Sequence, residues 1–101
     1  MGEIRTFTGS RQARGSIVKR PIQVEVPAGV TVSASGHTIT HTPPAGGTVT
    51  APTLAIASPN ATLTFDAGDA AADVGLHLIL VIIALSDGQR WDCQLEVEVY
   101  A

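Results

Sequence analysis

The clearest pattern of hydrophobic and polar positions lies at the C-terminal end of the chain, in residues 76–101. An apolar run, LHLILVIIALS, is followed by Asp87-Gly88 and then by the alternating run QRWDCQLEVEVY. Asp-Gly between two hydrophobic strands is a strong signal for a two-residue type I′ turn, because both central residues of that turn adopt positive φ. The pattern therefore predicts a long C-terminal β-hairpin in which Ala84 pairs with Trp91.

This register assigns the side chains of each strand to two faces, because successive residues of a strand point to opposite sides of the sheet. One face is entirely apolar and is predicted to face the core: Leu76, Leu78, Leu80, Ile82, Ala84, Trp91, Cys93, Leu95, Val97 and Val99. On the other face the second strand is polar, but the first carries a row of four large apolar side chains: Ile79, Val81, Ile83 and Leu85. Exposed to water, such a row is an aggregation liability. We expect it to be covered either by another protein subunit or by the chain's own residues 9–21.

Shorter alternating segments, separated by glycine and proline, occupy the rest of the chain. They predict strands at residues 3–8, 22–26, 30–34, 37–41, 48–57 and 63–65. The polar residues 9–15 (GSRQARG) are predicted to form a loop. No segment has a sustained 3.6-residue apolar period. A series of short strands of this kind predicts an all-β fold, namely an antiparallel β-sandwich of immunoglobulin-like type. A small jelly roll or an open barrel is the alternative.

Charge is distributed unevenly along the chain. Residues 1–20 carry five basic and one acidic side chain, for a net charge of +4, whereas residues 21–101 carry one basic and eight acidic side chains, for −7. We therefore predict a basic N-terminal arm with a short strand over residues 1–20, and a single β-sandwich domain over residues 21–101. Four basic residues of the arm are candidates for contact with an acidic surface of a neighbouring copy: Arg11, Arg14, Lys19 and Arg20. A solvated terminus is the alternative. Nucleic acid is not favoured as a partner, because no aromatic residues are interleaved with these arginines.

The candidate chemistry of the chain is sparse. His37 and His41 share one strand face, which His77 could join, but no carboxylate or cysteine stands at ligand spacing near them, so no metal site is predicted. The acidic residues of segment 66–75, namely Asp66, Asp69 and Asp73, lack the alternate spacing of a calcium-binding loop. The one cysteine, Cys93, excludes an internal disulfide and is expected to be a small buried hydrophobe. The sequence has no nucleophile elbow and no phosphate-binding glycine pattern, so neither an enzyme nor a cofactor is predicted.

Neither a signal peptide nor a membrane-spanning segment is predicted. The opening residues MGEIRTFTG contain no apolar stretch of the kind that signal peptides have. The apolar run from Leu76 to Leu85 has about half of the ~20 residues that a membrane helix needs. We therefore expect no membrane partner.

Two segments of the chain carry a resemblance to a known family. The opening IRTFTG and the closing SDGQRWDCQLEVEV, which follows an apolar strand, resemble small immunoglobulin-like virion proteins of tailed bacteriophages, of the fibre-tail adaptor and head-decoration type. The resemblance covers only the two ends of the chain. It implies a structural protein of the virion, present in multiple copies, that contacts capsid or tail protein and has no catalytic residues. The basic segment SRQARGSIVKR departs from the polar or acidic segment expected at that place in the family.

These observations favour a non-enzymatic structural virion protein that decorates or cements a capsid, with a tail or fibre adaptor as the alternative. We expect a homo-oligomer, or multiple copies on a particle, held by the apolar row and the basic arm. A carbohydrate- or receptor-binding β-sandwich is the hypothesis from another class. Such modules present exposed aromatic side chains, and the chain has four of them: Phe7, Phe65, Trp91 and Tyr100. We expect Phe65 and Trp91 to face inward, which makes this hypothesis weaker.

Overall fold

The computed structural model describes residues 5–50 and 52–101, and these residues form an all-β fold with one short helical turn. The seven strands are β1 (Arg5–Ala13), β2 (Ile17–Gln23), β3 (Thr38–Thr42), β4 (Thr53–Ala57), β5 (Asn60–Asp66), β6 (Gly75–Ala84) and β7 (Arg90–Tyr100). A 3₁₀ turn, Ala71–Asp73, precedes β6. The prediction of an all-β fold is confirmed. The described residues contain no helix that could span a lipid bilayer.

The strands form two sheets. One has four strands in the order β1-β7-β6-β3, and the other has three in the order β2-β5-β4. Paired strands run antiparallel, except that β1 runs parallel to β7. Two sheets of mixed and antiparallel strands are compatible with the predicted β-sandwich, but the sheets are not purely antiparallel as predicted.

The core lies between the two sheets, and both contribute alternate residues of their strands to it. The three-stranded sheet supplies Ile22, Ala61, Leu63 and Phe65. The four-stranded sheet supplies Ile79, Val81, Ile83, Trp91, Cys93, Leu95, Val97 and Val99. Cys93 is buried, as its position on the inward face of β7 predicts.

β6 and β7 pair one residue away from the predicted register. Ile83 lies opposite Trp91, and Ala84 lies opposite Arg90, whereas the prediction placed Ala84 opposite Trp91. Since side chains alternate with a period of two, a shift of one residue exchanges the two faces of β6 relative to β7.

The connection between β6 and β7 explains the shift. Five residues, 85–89, join the strands, instead of the two that the prediction allowed. Gly88 has a φ of 89°, but Asp87 does not have positive φ, so the turn is not the type I′ turn that requires it at both positions. The backbone N–H of Gly88 donates to the carbonyl of Leu85 at 3.1 Å, and the N–H of Leu85 donates to the carbonyl of Gln89 at 2.9 Å.

The shift corrects the interface prediction for the first strand of this pair. The row predicted to face outward is buried in the core, with exposed fractions of 0%, 0%, 0% and 5% for Ile79, Val81, Ile83 and Leu85. These four side chains share one core cluster with residues of the three-stranded sheet, whose strand β2 includes residues 17–21 of the predicted internal cover, and no partner subunit is needed to bury them. The prediction that they form a protein-contact surface is therefore wrong.

The N-terminal region also differs from the prediction of an arm. β1 pairs with β7 from Arg5 opposite Cys93 to Ala13 opposite Tyr100, with an irregularity between Phe7 and Ser10. The predicted loop at residues 9–15 is therefore strand as far as residue 13. β2 crosses the boundary predicted between residues 20 and 21 and pairs with β5 along its whole length. The described part of residues 1–20 thus belongs to both sheets, and residues 1–4, which include the start of the predicted strand 3–8, lie outside the described residues.

Candidate functional site

A row of apolar side chains lies on the face of the four-stranded sheet that points away from the core. It consists of Leu76, Leu78, Leu80 and Ile82, which we call the outer β6 row. Leu76 is 51% exposed, and the other three are half-buried. These residues were predicted to face the core. β6 is apolar on both faces, so once its other face is covered by the second sheet, this row remains at the surface.

Polar residues flank the outer β6 row on both sides. On the β7 side, the residues opposite its four members, from Leu76 to Ile82, are in turn Glu98, Glu96, Gln94 and Asp92. On the β3 side, Thr42, Thr40 and Thr38 lie opposite Leu78, Leu80 and Ile82. An apolar centre with a polar rim is the usual composition of a protein–protein contact surface.

One carboxylate oxygen beside the row lacks a hydrogen bond. Oδ1 of Asp92, the residue opposite Ile82, is buried and has no hydrogen-bond partner among the described residues. Buried polar atoms are nearly always paired, so an unpaired one needs an explanation. A donor supplied from outside the chain is one such explanation.

The row ends beside a surface cleft of about 360 Å³. The cleft is lined by residues of β1, β6 and β7: Gly9, Ser10, Arg11, Leu76, Glu96 and Glu98. It lies where the pairing of β1 with β7 is irregular and where Gly9 adopts a φ of 82°. The outer β6 row and the cleft therefore form one continuous surface feature around Leu76.

The structure does not bring the four predicted basic contact residues into one patch. Arg11 bonds Glu98 on the outer face of the four-stranded sheet, with Nε 3.1 Å from Oε1, and its guanidinium lies 4.8 Å from the centre of the Tyr100 ring. Arg14 lies 3.8 Å from the carboxylate of Asp69. Lys19 is exposed on the outer face of the three-stranded sheet.

Arg20, the fourth of these residues, lies on the inner side of β2 and donates to a buried glutamine. Its Nη1 is 2.7 Å from Oε1 of Gln12, and burial lowers the pKa of Arg20. The side-chain amide of Gln12 donates to the carbonyls of Ser16 and Phe65, at 2.9 Å each. Gln12 therefore links β1 to the opposite sheet, a role that the polar segment GSRQARG does not predict.

The second candidate feature is a pair of histidines inside the domain. His41 on β3 is 8% exposed, and His77 on β6 is fully buried. Nε2 of His41 and Nδ1 of His77 are 2.8 Å apart, and the two rings stack with centroids 5.1 Å apart and an interplanar angle of 11°. The ring of Phe65 meets both histidines edge-on, at 5.1 and 5.3 Å. From the sequence, His77 could join the strand face of His41, but their direct hydrogen bond was not predicted.

The neighbours of the two rings determine which nitrogen of each carries the proton. The backbone N–H of Thr50 donates to Nδ1 of His41 at 3.0 Å, so that nitrogen is an acceptor. His41 therefore carries its proton on Nε2 and donates it to Nδ1 of His77. His77 in turn donates from Nε2 to the backbone carbonyl of Asp73 at 2.6 Å. The result is a directed chain of hydrogen bonds between two neutral histidines.

Asp73, at the end of the 3₁₀ turn, completes this group. Its side chain is 2% exposed, and Oδ1 accepts the backbone N–H of Thr48 at 2.7 Å. We call His41, His77, Asp73, Thr48 and Thr50 the histidine cluster. Burial lowers the pKa of His41 and the neighbouring His77 lowers it further, while the backbone of Thr50 and the carboxylate of Asp73 act in the opposite direction and are outweighed.

The third histidine of the sequence lies apart from this pair. Nδ1 of His37 accepts the backbone N–H of Ala84 at 3.1 Å, and its Nε2 bonds the carbonyl of Ser33 at 2.8 Å. Among the described residues, no group of three or more histidine, cysteine or acidic side chains is placed to hold a metal ion.

Comparison with protein-family models, with curated proteins and with solved structures finds no match to this chain.

Proposed function

We propose that this protein is a non-enzymatic structural virion protein that decorates or cements a capsid through protein–protein contacts. The observation that carries the proposal is the outer β6 row. This strip of apolar side chains on β6 lies at the surface, because no other part of the described chain covers it fully. The resemblance of the two ends of the chain to small virion proteins of tailed bacteriophages supports the same function and implies multiple copies on the particle.

The proposal includes an immunoglobulin-like fold with β6 and β7 as its C-terminal hairpin. In that fold, one sheet contains strands B, E and D in that order, and the other contains C, F and G. The order β2-β5-β4 corresponds to B-E-D, and β3-β6-β7 corresponds to C-F-G. Here the first strand lies beside the last strand rather than beside the second, so β7 as well as β6 is an interior strand of the four-stranded sheet.

The energetics of the outer β6 row favour contact with a partner. Fully burying an aliphatic side chain contributes about 1.5–3 kcal/mol, so covering a half-exposed one contributes on the order of 1 kcal/mol. Four such side chains give a modest affinity for a single copy, before the costs of association. A protein present in many copies on one particle does not need a higher affinity per contact if the copies also support one another.

The charges beside the row favour a capsid protein over a second copy of the same face. Asp92 and Glu96 flank the row, and Oδ1 of Asp92 lacks a donor among the described residues. A capsid surface with lysine or arginine beside an apolar patch matches both features. A second copy of this face brings acidic residues of its own instead.

The proposal is tested on particles of the phage whose genome carries the gene. Mass spectrometry of purified virions should detect the protein, and the purified protein should sediment with particles made without that gene. Leu76→Asp should weaken this binding by about tenfold or more, which corresponds to about 1.4 kcal/mol. Ile17→Asp is the matched control, because Ile17 is 64% exposed on the opposite sheet. Absence of the protein from virions, or equal loss of binding in both variants, would count against the proposal.

A tail or fibre adaptor uses the same kind of surface, and labelling of intact virions separates it from a decoration protein by the position of the label. A carbohydrate-binding module has less support. Phe65 and Trp91 are buried, which confirms that they face inward. Of the two exposed aromatic side chains, Phe7 and Tyr100, the second already contacts the guanidinium of Arg11.

A further inference from the structure

We infer that the histidine cluster is a pH-sensitive clasp: protonation of His41 or His77 breaks its hydrogen bonds and frees residues 43–50 from the body of the domain. This inference does not depend on the proposed function. It follows from the direction of the hydrogen bonds and from the segment that they hold.

The segment in question connects the two sheets. Residues 43–50 follow β3, in the four-stranded sheet, and lead toward β4, in the three-stranded sheet. Two of its backbone N–H groups end in the cluster, that of Thr50 on His41 and that of Thr48 on Asp73. A third bond, from Oγ1 of Thr50 to the carbonyl of Asp66, is 2.9 Å long and lies on an exposed surface. The histidine cluster therefore supplies the less exposed hydrogen bonds that hold residues 43–50 to the domain.

Each histidine has a neighbouring N–H group that points at the ring nitrogen where a second proton would bind. A proton on Nδ1 of His41 faces the N–H of Thr50 at 3.0 Å, and a proton on Nδ1 of His77 faces the Nε2–H of His41 at 2.8 Å. In both cases two donors point at each other, and neither pair contains an acceptor. Protonation of either ring thus requires that one of these contacts open.

The charged groups around the pair do not remove this conflict. From the 3₁₀ turn, Asp73 presents its backbone carbonyl to His77, while its carboxylate bonds Thr48. From the end of β5, Asp66 directs its carboxylate to the N–H of Gly68. β5 otherwise presents the apolar ring of Phe65, β3 and β6 present the two histidines themselves, and residues 43–50 contain no titratable side chain. Burial and the second histidine both oppose charge on His41, whose pKa is lowered accordingly.

The expected size of the effect follows from proton linkage. If the closed clasp does not take up a proton and an opened histidine has an ordinary pKa of about 6.5, the opening equilibrium rises about tenfold at pH 5.5.

The inference is tested on the full chain by NMR. At pH 7.5, long-range ¹H–¹⁵N spectra should show both His41 and His77 protonated on Nε2 alone. Between pH 7.5 and 5.5, hydrogen-exchange protection of the Thr48 and Thr50 amides should fall about tenfold relative to that of Leu63, in the centre of β5. His41→Gln should abolish this pH dependence, whereas His37→Gln, the matched control outside the cluster, should retain it.

Two results would overturn the inference. One is a different tautomer of either ring at pH 7.5. The other is unchanged protection of Thr48 and Thr50 at pH 5.5 while the histidines are protonated. Both measurements use the natural sequence, so they decide the question even if His41→Gln does not fold.

Discussion

Ile83 lies directly opposite Trp91 in the antiparallel pairing of β6 with β7, and both side chains are buried in the core. This pairing fixes which face of β6 the second sheet covers. It places Ile79, Val81 and Ile83 inside and leaves Leu76, Leu78, Leu80 and Ile82 on the outer surface. The candidate contact surface is thus a direct consequence of a one-residue choice of register.

The register itself can be tested with two adjacent substitutions of the same kind. Ile83→Thr places a hydroxyl in the core and should lower the free energy of unfolding by about 2–4 kcal/mol. Ile82→Thr keeps β-branching on the outer face and should cost under about 1 kcal/mol. Urea unfolding of the two variants measures both values. The reverse order would indicate the register in which Ala84, rather than Ile83, faces Trp91.

Asp92→Asn should stabilise the isolated domain and weaken particle binding. Its buried Oδ1 has no hydrogen-bond partner among the described residues, so removal of the negative charge lowers the cost of burial, by about 1 kcal/mol. If a donor group of the capsid protein bonds this carboxylate in the complex, the same substitution lowers the affinity for the particle. Glu96→Gln is the control for loss of a charge beside the row. Urea unfolding and co-sedimentation give the two quantities, and lower stability of Asp92→Asn would contradict the prediction.

Gln12→Met should destabilise the domain by about 2–4 kcal/mol. The substitution keeps the size of the side chain but removes the Gln12 donor from the carbonyls of Ser16 and Phe65 and the Gln12 acceptor from the guanidinium of Arg20. The carbonyl of Ser16 keeps its bond from the N–H of Ala67. Gln94→Met, on the outer face, is the control and should change the free energy of unfolding by under about 0.5 kcal/mol. Equal thermal and urea stability of the two variants would show that Gln12 does not link the sheets as described.

The lowered pKa of His41 predicts how stability depends on pH. The unfolded chain, with an ordinary histidine pKa near 6.5, binds protons more readily than the native state, so the free energy of unfolding increases with pH in this range. The contribution is fully present above about pH 6.5 and is lost as the pH falls through 6.5 toward the lower native pKa. The slope for one histidine is at most about 1.4 kcal/mol per pH unit. Urea unfolding between pH 7.5 and 5.5 should give a flatter profile for His41→Gln, and an equal slope would contradict the assignment.

Gly68→Ala should disturb the histidine cluster at neutral pH. Gly68 has a φ of 75°, and a Cβ at this position would lie 2.7 Å from Oδ2 of Asp73. Gly29→Ala is the matched control, because Gly29 has a φ of 81° and a Cβ there meets no atom within 4 Å. Both variants carry the backbone strain of about 1 kcal/mol, and only Gly68→Ala should also reduce amide protection at Thr48. Equal protection in the two variants would show that Asp73 does not hold Thr48.

Much of the strand pattern is readable from local sequence. The alternation in QRWDCQLEVEVY predicts β7 and its faces, and Trp91, Cys93 and Leu95 are buried as that pattern predicts. The presence of β6 is equally clear, because LHLILVIIALS is long, apolar and β-branched. What this run lacks is a polar face, so its residues alone do not indicate which row points inward.

The amino-acid pattern is enough to establish an all-β chain in which the strand β6 has more apolar surface than one sheet face can bury. The folded structure was needed for three features: the five-residue connection that fixes the register, the pairing of β1 with β7, and the contact of His41 with His77. These features join residues far apart in the chain. Local propensity carries little information about such contacts, because their free energy depends on which distant groups the folded sheets bring together.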